Sequence, residues 1–224
     1  METQAVEQAT GLMASINGLA EFIQSGGVFM WVIVIIWAFG IAISLERFSK
    51  LFFKFDVDGA SFMNELQRYI LSNDIQGAIR VCSGSVAALP KVLKSGLKRS
   101  TQRTEQIQNA IDATALEVIP KVELRLNYLQ LVANISTLFG LLGTIQGLIQ
   151  SFGAVAAADP SQKAELLAQG ISKAMNTTFL GLLAAISIMM LHTFLQSKSE
   201  KIINEIDEFS VKLLDLLGTT KAED

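Results

Sequence analysis

Three stretches of this chain are apolar on every face, while most of the remainder is apolar on one face only. Residues 126–158 run for 33 residues without a charged side chain. Residues 22–45 are also uncharged, most densely apolar over 28–45, and residues 174–197 carry only His192. A helix needs about 20 apolar residues to cross the hydrocarbon of a bilayer, so each stretch predicts a membrane span. Elsewhere apolar residues recur at three or four, which is the spacing of one helix face. Ile107, Ile111, Ala115, Val118, Val122, Leu126 and Leu129 form one such series. It runs into the second span with no turn signal other than Pro120, predicting a long helix kinked at that proline. Ile202, Ile206, Phe209, Leu213 and Leu216 form another, an a/d-type seam that follows the third span without Gly or Pro. Its packing partner is either the same subunit or a neighbouring one, and Gly218 with residues 219–224 predicts a frayed end. Shorter helices are expected over 61–71 and 75–81, separated by Ser72, Asn73 and Asp74, and from Pro90 to about Arg103. The fold class is an all-α integral membrane protein with three transmembrane helices, the second and third extending into a cytoplasmic helical bundle.

Charge decides the expected orientation. No Lys or Arg precedes the first span, twelve of the eighteen lie between Arg47 and Arg125, and four lysines follow Ser197. The connection between the second and third spans holds only Lys163, with Lys173 at the mouth of the next helix. Basic residues gather on the cytoplasmic side. The expected order is therefore a periplasmic segment over 1–27, transmembrane helix 1 over 28–45 and a cytoplasmic helical region over 46–125. Transmembrane helix 2 over 126–158, a short periplasmic loop over 159–170, transmembrane helix 3 over 171–197 and a cytoplasmic tail over 198–224 complete it. The first apolar run is too long for a signal-peptide core and lacks a basic segment before it, so it reads as a retained helix. Trp31 reads as an interfacial anchor.

Composition narrows the chemistry. Half the residues are hydrophobic and mean hydropathy is +0.42, as three spans require. The net charge of −3 comes without a basic, aromatic-laced stripe, which argues against nucleic acid. One His and one Cys exclude nucleophilic dyads and clustered metal ligands, and no phosphate-binding loop occurs, so neither an enzyme nor a cofactor is implied. Cys82 reads as a buried free thiol.

The second span is unusual for its polar content. Asn134, Ser136, Thr137, Thr144, Gln146, Gln150 and Ser151 share it with Gly140, Gly143 and Gly147. The glycines suit close helix packing. Lipid has no use for the polar groups, so protein, water or an ion is expected beside them. Yet no Asp or Glu lies in any span. A proton relay needs an ionisable group near mid-membrane, so a conducting chain of this kind would need its acid from another polypeptide. His192 is the one ionisable side chain inside a span, readable as a relay or as an interfacial hydrogen-bonding group.

Two motifs carry a family resemblance. LFGLLGTIQG at 138–147 and GISKAMNTTFLGLLAAI at 170–186, with Glu46-Arg47 closing the first span, resemble the ExbB/TolQ/MotA family of ion-channel (stator) subunits. The resemblance is strong from about Pro120 to Ile188 and architectural elsewhere. Three spans with the N-terminus outside fit the ExbB/TolQ branch, since the MotA branch typically has four. The resemblance implies a homopentamer in the bacterial inner membrane around the single transmembrane helices of two ExbD- or TolR-like partners, whose Asp takes up the proton. It also implies that the proton motive force drives mechanical work in the envelope: transport energisation, envelope maintenance or motility. Carried over by position, Thr144 and Thr178 resemble the pore-facing threonines beside that Asp, and Gly181 joins the packing glycines.

Two departures from the family pattern bear on the ion. Lys173 stands at the periplasmic mouth where ExbB-type chains often have Glu, and it either snorkels outward or pairs with a partner's acid. Asn176 and Thr177 stand where such chains are often apolar. Together with Thr178 they serve either helix–helix bonding or a sodium site at Thr144, Thr177 and Thr178, because sodium needs several oxygen ligands. The competing class is a structural membrane scaffold that conducts nothing. A self-sufficient transporter is disfavoured by the missing acid and the absence of an internal repeat.

Overall fold

A computed structural model describes Gly18, residues 22–24 and residues 26–222, with side chains to residue 219. Most of the expected periplasmic segment 1–27 and the last residues of the tail lie outside the described residues. All regular structure among the described residues is helical. The elements are α1 (Val28–Ser49), a π-helical turn (Lys50–Phe55), α2 (Gly59–Leu71), α3 (Ile75–Ser83) and α4 (Ala88–Leu97). They continue with α5 (Thr104–Glu123), α6 (Leu126–Ala157) and α7 (Lys163–Ala222). Three stretches are long and apolar enough to cross a membrane: one begins with α1, one covers α5 and α6, and one lies in α7. The chain forms two compact units.

The first unit takes its helices from the chain up to Ile43 and from Tyr128–Leu191. Its interior is thin. Met30, Ile33, Leu180 and Ala184 are buried together, with Val34, Trp37 and Phe139 packed against them. Small residues let the helices approach: a Cβ added to Gly40 of α1 would lie 2.8 Å from side-chain carbons of Ile188 and Val132. The Trp37 indole N–H donates to Ser187 Oγ at 2.8 Å, which satisfies it where water is absent. Much of the remaining surface is large and apolar, including Val28, Trp31, Ile35, Phe39, Ile145 and Ile149. Helices apolar on all sides belong in a membrane or against other spans.

The second unit, Ser44–Asn127 with His192–Asp224, is built differently. Its helices are amphipathic and enclose large side chains, among them Leu66, Ile70, Leu93, Leu97, Ile107, Ile111, Ile206 and Leu213. The α2–α3 turn forms where expected: Asn73 adopts φ 58°, and the Asp74 carboxylate accepts from Gly77 N at 2.8 Å as the N-cap. Cys82 is buried and free, and burial pushes its thiol up to about 11. The seam along α7 holds through Ile202, Ile206, Phe209 and Leu213, but its last fully buried leucine is Leu217 rather than Leu216. A straight α-helix turns every 3.6 residues, so a strict 3.5-residue seam drifts off the buried face. The helix also passes through Gly218 to Ala222.

Two helix boundaries differ from expectation by more than two residues. Helix α4 ends at Leu97 instead of near Arg103, in a turn where Arg99 N donates to Gly96 O and Gln102 N to Arg99 O. The expected continuous helix through Pro120 is interrupted, but not at the proline. Pro120 sits inside α5, and the chain breaks at Leu124 and at Arg125, which adopts φ 65°. The break exposes the last carbonyls of α5, which need donors. Buried Arg47 supplies one, its Nη1 donating to Lys121 O at 3.4 Å, and a cation there also complements the helix dipole. Arg125 Nη1 pairs with Glu46 at 2.5 Å, and Glu46 also pairs with Lys50 at 2.6 Å. Left-handed backbone is costly for a side-chain-bearing residue, so tertiary ion pairing holds Arg125 where its own preference would not.

Candidate functional site

The site begins with two glycines. Gly140 on α6 faces Gly181 on α7 with no side chain between them, and a Cβ added to Gly181 would lie 2.8 Å from both Gly140 Cα and Ser136 O. Two turns away, Gly147 packs on Ala174, where an added Cβ would lie 2.8 Å from the alanine methyl. Gly143 packs against the Thr177 side chain. These contacts bring two backbones together over three turns, as small residues do where lipid offers no hydrophobic driving force.

Close approach places Thr144 and Thr178 against each other. Their hydroxyls are in hydrogen-bond contact. Thr144 Oγ1 donates to Gly140 O at 3.2 Å and Thr178 Oγ1 to the same carbonyl at 3.0 Å. Three oxygens, from two hydroxyls and one main-chain carbonyl, thus meet at the α6–α7 contact. Each hydroxyl carries one proton, so two of these three bonds are made at a time and both protons stay within the cluster. What the cluster offers outward is lone pairs.

The other residues singled out by the sequence do not all join this cluster. Thr177 is fully buried and turned toward α1, with its hydroxyl donating to Lys173 O at 3.1 Å and to Gly26 O at 3.4 Å. Asn176 is half-buried. Lys173 lines a separate cavity with Gln146 and Gln150. The abundant hydroxyls of α6 are mostly spent on their own helix: Ser136 donates to Val132 O, Thr137 to Ala133 O and Ser151 to Gly147 O. Among the described residues no group of His, Cys, Asp or Glu is placed to hold a metal ion. Sequence reasoning passed over the Gly140 carbonyl, a main-chain group whose only signal was the glycine itself.

The model of the MotA/TolQ/ExbB proton channel family matches residues 85–208, more than half of the chain. The chain belongs to this family. As a member with three helices able to span, it is a multi-pass membrane protein. Among curated relatives, a biopolymer transport ExbB homolog from Methanothermobacter thermautotrophicus is 24% identical over 188 residues, covering 84% of this chain and 66% of that protein. Biopolymer transport protein exbB1 of Vibrio cholerae is 49% identical over 61 residues, 27% of each chain. The Tol-Pal system protein TolQ of Haemophilus influenzae is 34% identical over 99 residues, 42% of this chain and 43% of TolQ. The chain thus matches just under two thirds of the length of the first relative and less than half of the other two.

Proposed function

We propose that this chain is the ring-forming subunit of a proton-driven stator. In this reading it assembles as a homopentamer in the inner membrane around an ExbD- or TolR-like single-span partner, and Thr144 and Thr178 line the ion path. The N-terminus faces the periplasm, and residues 46–125 and the tail from 198 face the cytoplasm. The observation that carries the reading is the pair of threonine hydroxyls converging on the Gly140 carbonyl in a span that has no acid of its own. With both hydroxyl protons engaged, the cluster accepts a hydrogen bond from a protonated carboxyl without rearrangement. An ionised carboxylate requires one hydroxyl to leave its carbonyl. Hydrogen bonding to the neutral form favours that form, so the cluster stabilises the loaded state of the partner's acid. Loss of the proton on the other side then releases the contact.

The transmembrane potential supplies about 2.3 kcal/mol per charge per 100 mV, enough for a small rotation of partner against ring at each step. That motion is the work done on the envelope. The oxygen count supports proton over sodium: Thr177 spends its hydroxyl on carbonyls of Lys173 and Gly26, leaving three oxygens at the cluster. Thr144→Val and Thr178→Val, expressed with the partner, test the proposal. Assembly of normal size with proton flux into vesicles lost supports the channel. Failed assembly with no selective effect on flux would identify a scaffold instead. Flux that depends on sodium and resists a protonophore would overturn the choice of ion.

A further inference from the structure

Three polar side chains of the first unit that have no hydrogen-bond partner or ion pair among the described residues meet in one place. A cavity of about 180 Å³ is lined by Gln146 and Gln150 of α6, Lys173 of α7, and Gly27, Val28 and Phe29 at the start of α1. Lys173 is half-buried, and no carboxylate among the described residues pairs with it. Neither glutamine amide has a hydrogen-bond partner among the described residues. Gly27, at φ 74°, makes room for the lysine: an added Cβ would lie 3.2 Å from Lys173 Cε and 3.3 Å from Nζ. The ammonium therefore points into the cavity instead of extending away from the protein.

These groups define what fits. An ammonium offers three donors and one positive charge, and each amide offers two donors. Leaving them unmet in a lipid environment is costly, and a charge more so than an amide. The complement is a compact anion with several acceptor oxygens. The α1 side of the lining is apolar, Val28 and Phe29, with Val28 78% exposed. We propose that the cavity binds the phosphate of an anionic glycerophospholipid, in the outer leaflet of the topology proposed above. Lys173 neutralises the phosphate, Gln146 and Gln150 donate to its oxygens, and Val28 and Phe29 meet the glycerol and acyl portion. The lipid closes a polar gap between α1, α6 and α7 that the described side chains leave open.

Native mass spectrometry of the full chain, released from nanodiscs of phosphatidylcholine with phosphatidylglycerol, tests this. Wild type is expected to retain phosphatidylglycerol in preference to phosphatidylcholine. Lys173→Gln removes a charge-assisted hydrogen bond, so retention should fall roughly tenfold, whereas Lys173→Arg keeps the charge and should keep the lipid. If Lys173→Gln does not fold by circular dichroism, the Gln146→Leu/Gln150→Leu pair takes its place, with reduced retention again expected. Equal retention in wild type and variants overturns the proposal. Displacement of the lipid by inorganic phosphate would assign the cavity to a soluble anion. Loss of the co-purifying partner in place of lipid would assign it to a protein carboxylate. Either result also overturns the proposal.

Discussion

The two units of this chain solve the same packing problem with opposite materials. In the first, helices meet through absences: Gly140 against Gly181, Gly147 against Ala174, Gly40 beneath Ile188. In the second they meet through bulk, with Leu93, Leu97, Ile107, Ile111 and Leu213 filling the interior. Water rewards burial of large apolar side chains by about 25 cal/mol per Å². Between lipid-exposed helices that reward vanishes, because a leucine gains little by exchanging lipid for protein. What remains is dispersion and backbone approach, which favour glycine, alanine and small hydroxyl residues. In the first unit the close approach of α6 and α7 lets Thr144 and Thr178 share the Gly140 carbonyl.

The contrast can be broken at either end. Leu213→Ala in the second unit should cost most in stability, about 2–5 kcal/mol, because a fully buried leucine leaves a cavity. A smaller loss in denaturant titration of the detergent-solubilised protein would mean that this core relaxes as freely as the membrane helices. Gly181→Val should cost about 1–3 kcal/mol by overpacking, and it should abolish function as well, since a Cβ already meets the Gly140 backbone. A double cysteine cross-link reporting α6–α7 distance would detect the separation, and an unchanged distance would refute the close-packing account. Thr178→Val should be nearly silent in stability, about 0.6 kcal/mol, the average for a side-chain hydrogen bond between membrane helices. Its effect on proton flux should nevertheless be near-total, so a variant that unfolds instead of merely failing to conduct would erase the distinction between the units.

The smallest effect expected is electrostatic and belongs to the second unit. Hydrogen bonds and charges from Lys121 and Lys91 lower the Glu117 carboxyl to about 2. A carboxylate whose folded pKa is depressed stabilises the fold above its unfolded value, and that contribution is lost as pH falls through the folded one. Stability should therefore decline slightly between about 4.5 and about 2, and the decline should disappear in Glu117→Gln. Exposed pairs contribute little, so high salt should reduce even this difference.

How much of this was legible beforehand varies residue by residue. The α2–α3 turn could be read because Asp74 and Gly77 sit at capping distance in sequence and need nothing else. The seam of α7 could be read down to Leu213 because helical periodicity is local. The break at Arg125 could not. Its neighbours include a plausible proline signal, and the left-handed residue is an arginine held by Glu46, which is remote in sequence. Pro120 was the wrong marker, because a helix can lose one backbone donor and continue to Glu123. The run Asn176, Thr177, Thr178 was equally ambiguous, since three consecutive residues point three ways around a helix.

The order of apolar and polar residues by itself determined that this chain is helical and that three stretches suit a bilayer. It also determined that no acid lies within them, because hydropathy, period and inventory are properties of position along the chain. Which hydroxyls meet was decided only in three dimensions. Thr144 and Thr178 stand 34 residues apart and touch because Gly140 and Gly181 let two helices close. Thr177, adjacent to one of them, faces α1 and bonds Gly26 O. Proximity across helices depends on backbone distance and rotation, and a linear pattern specifies neither.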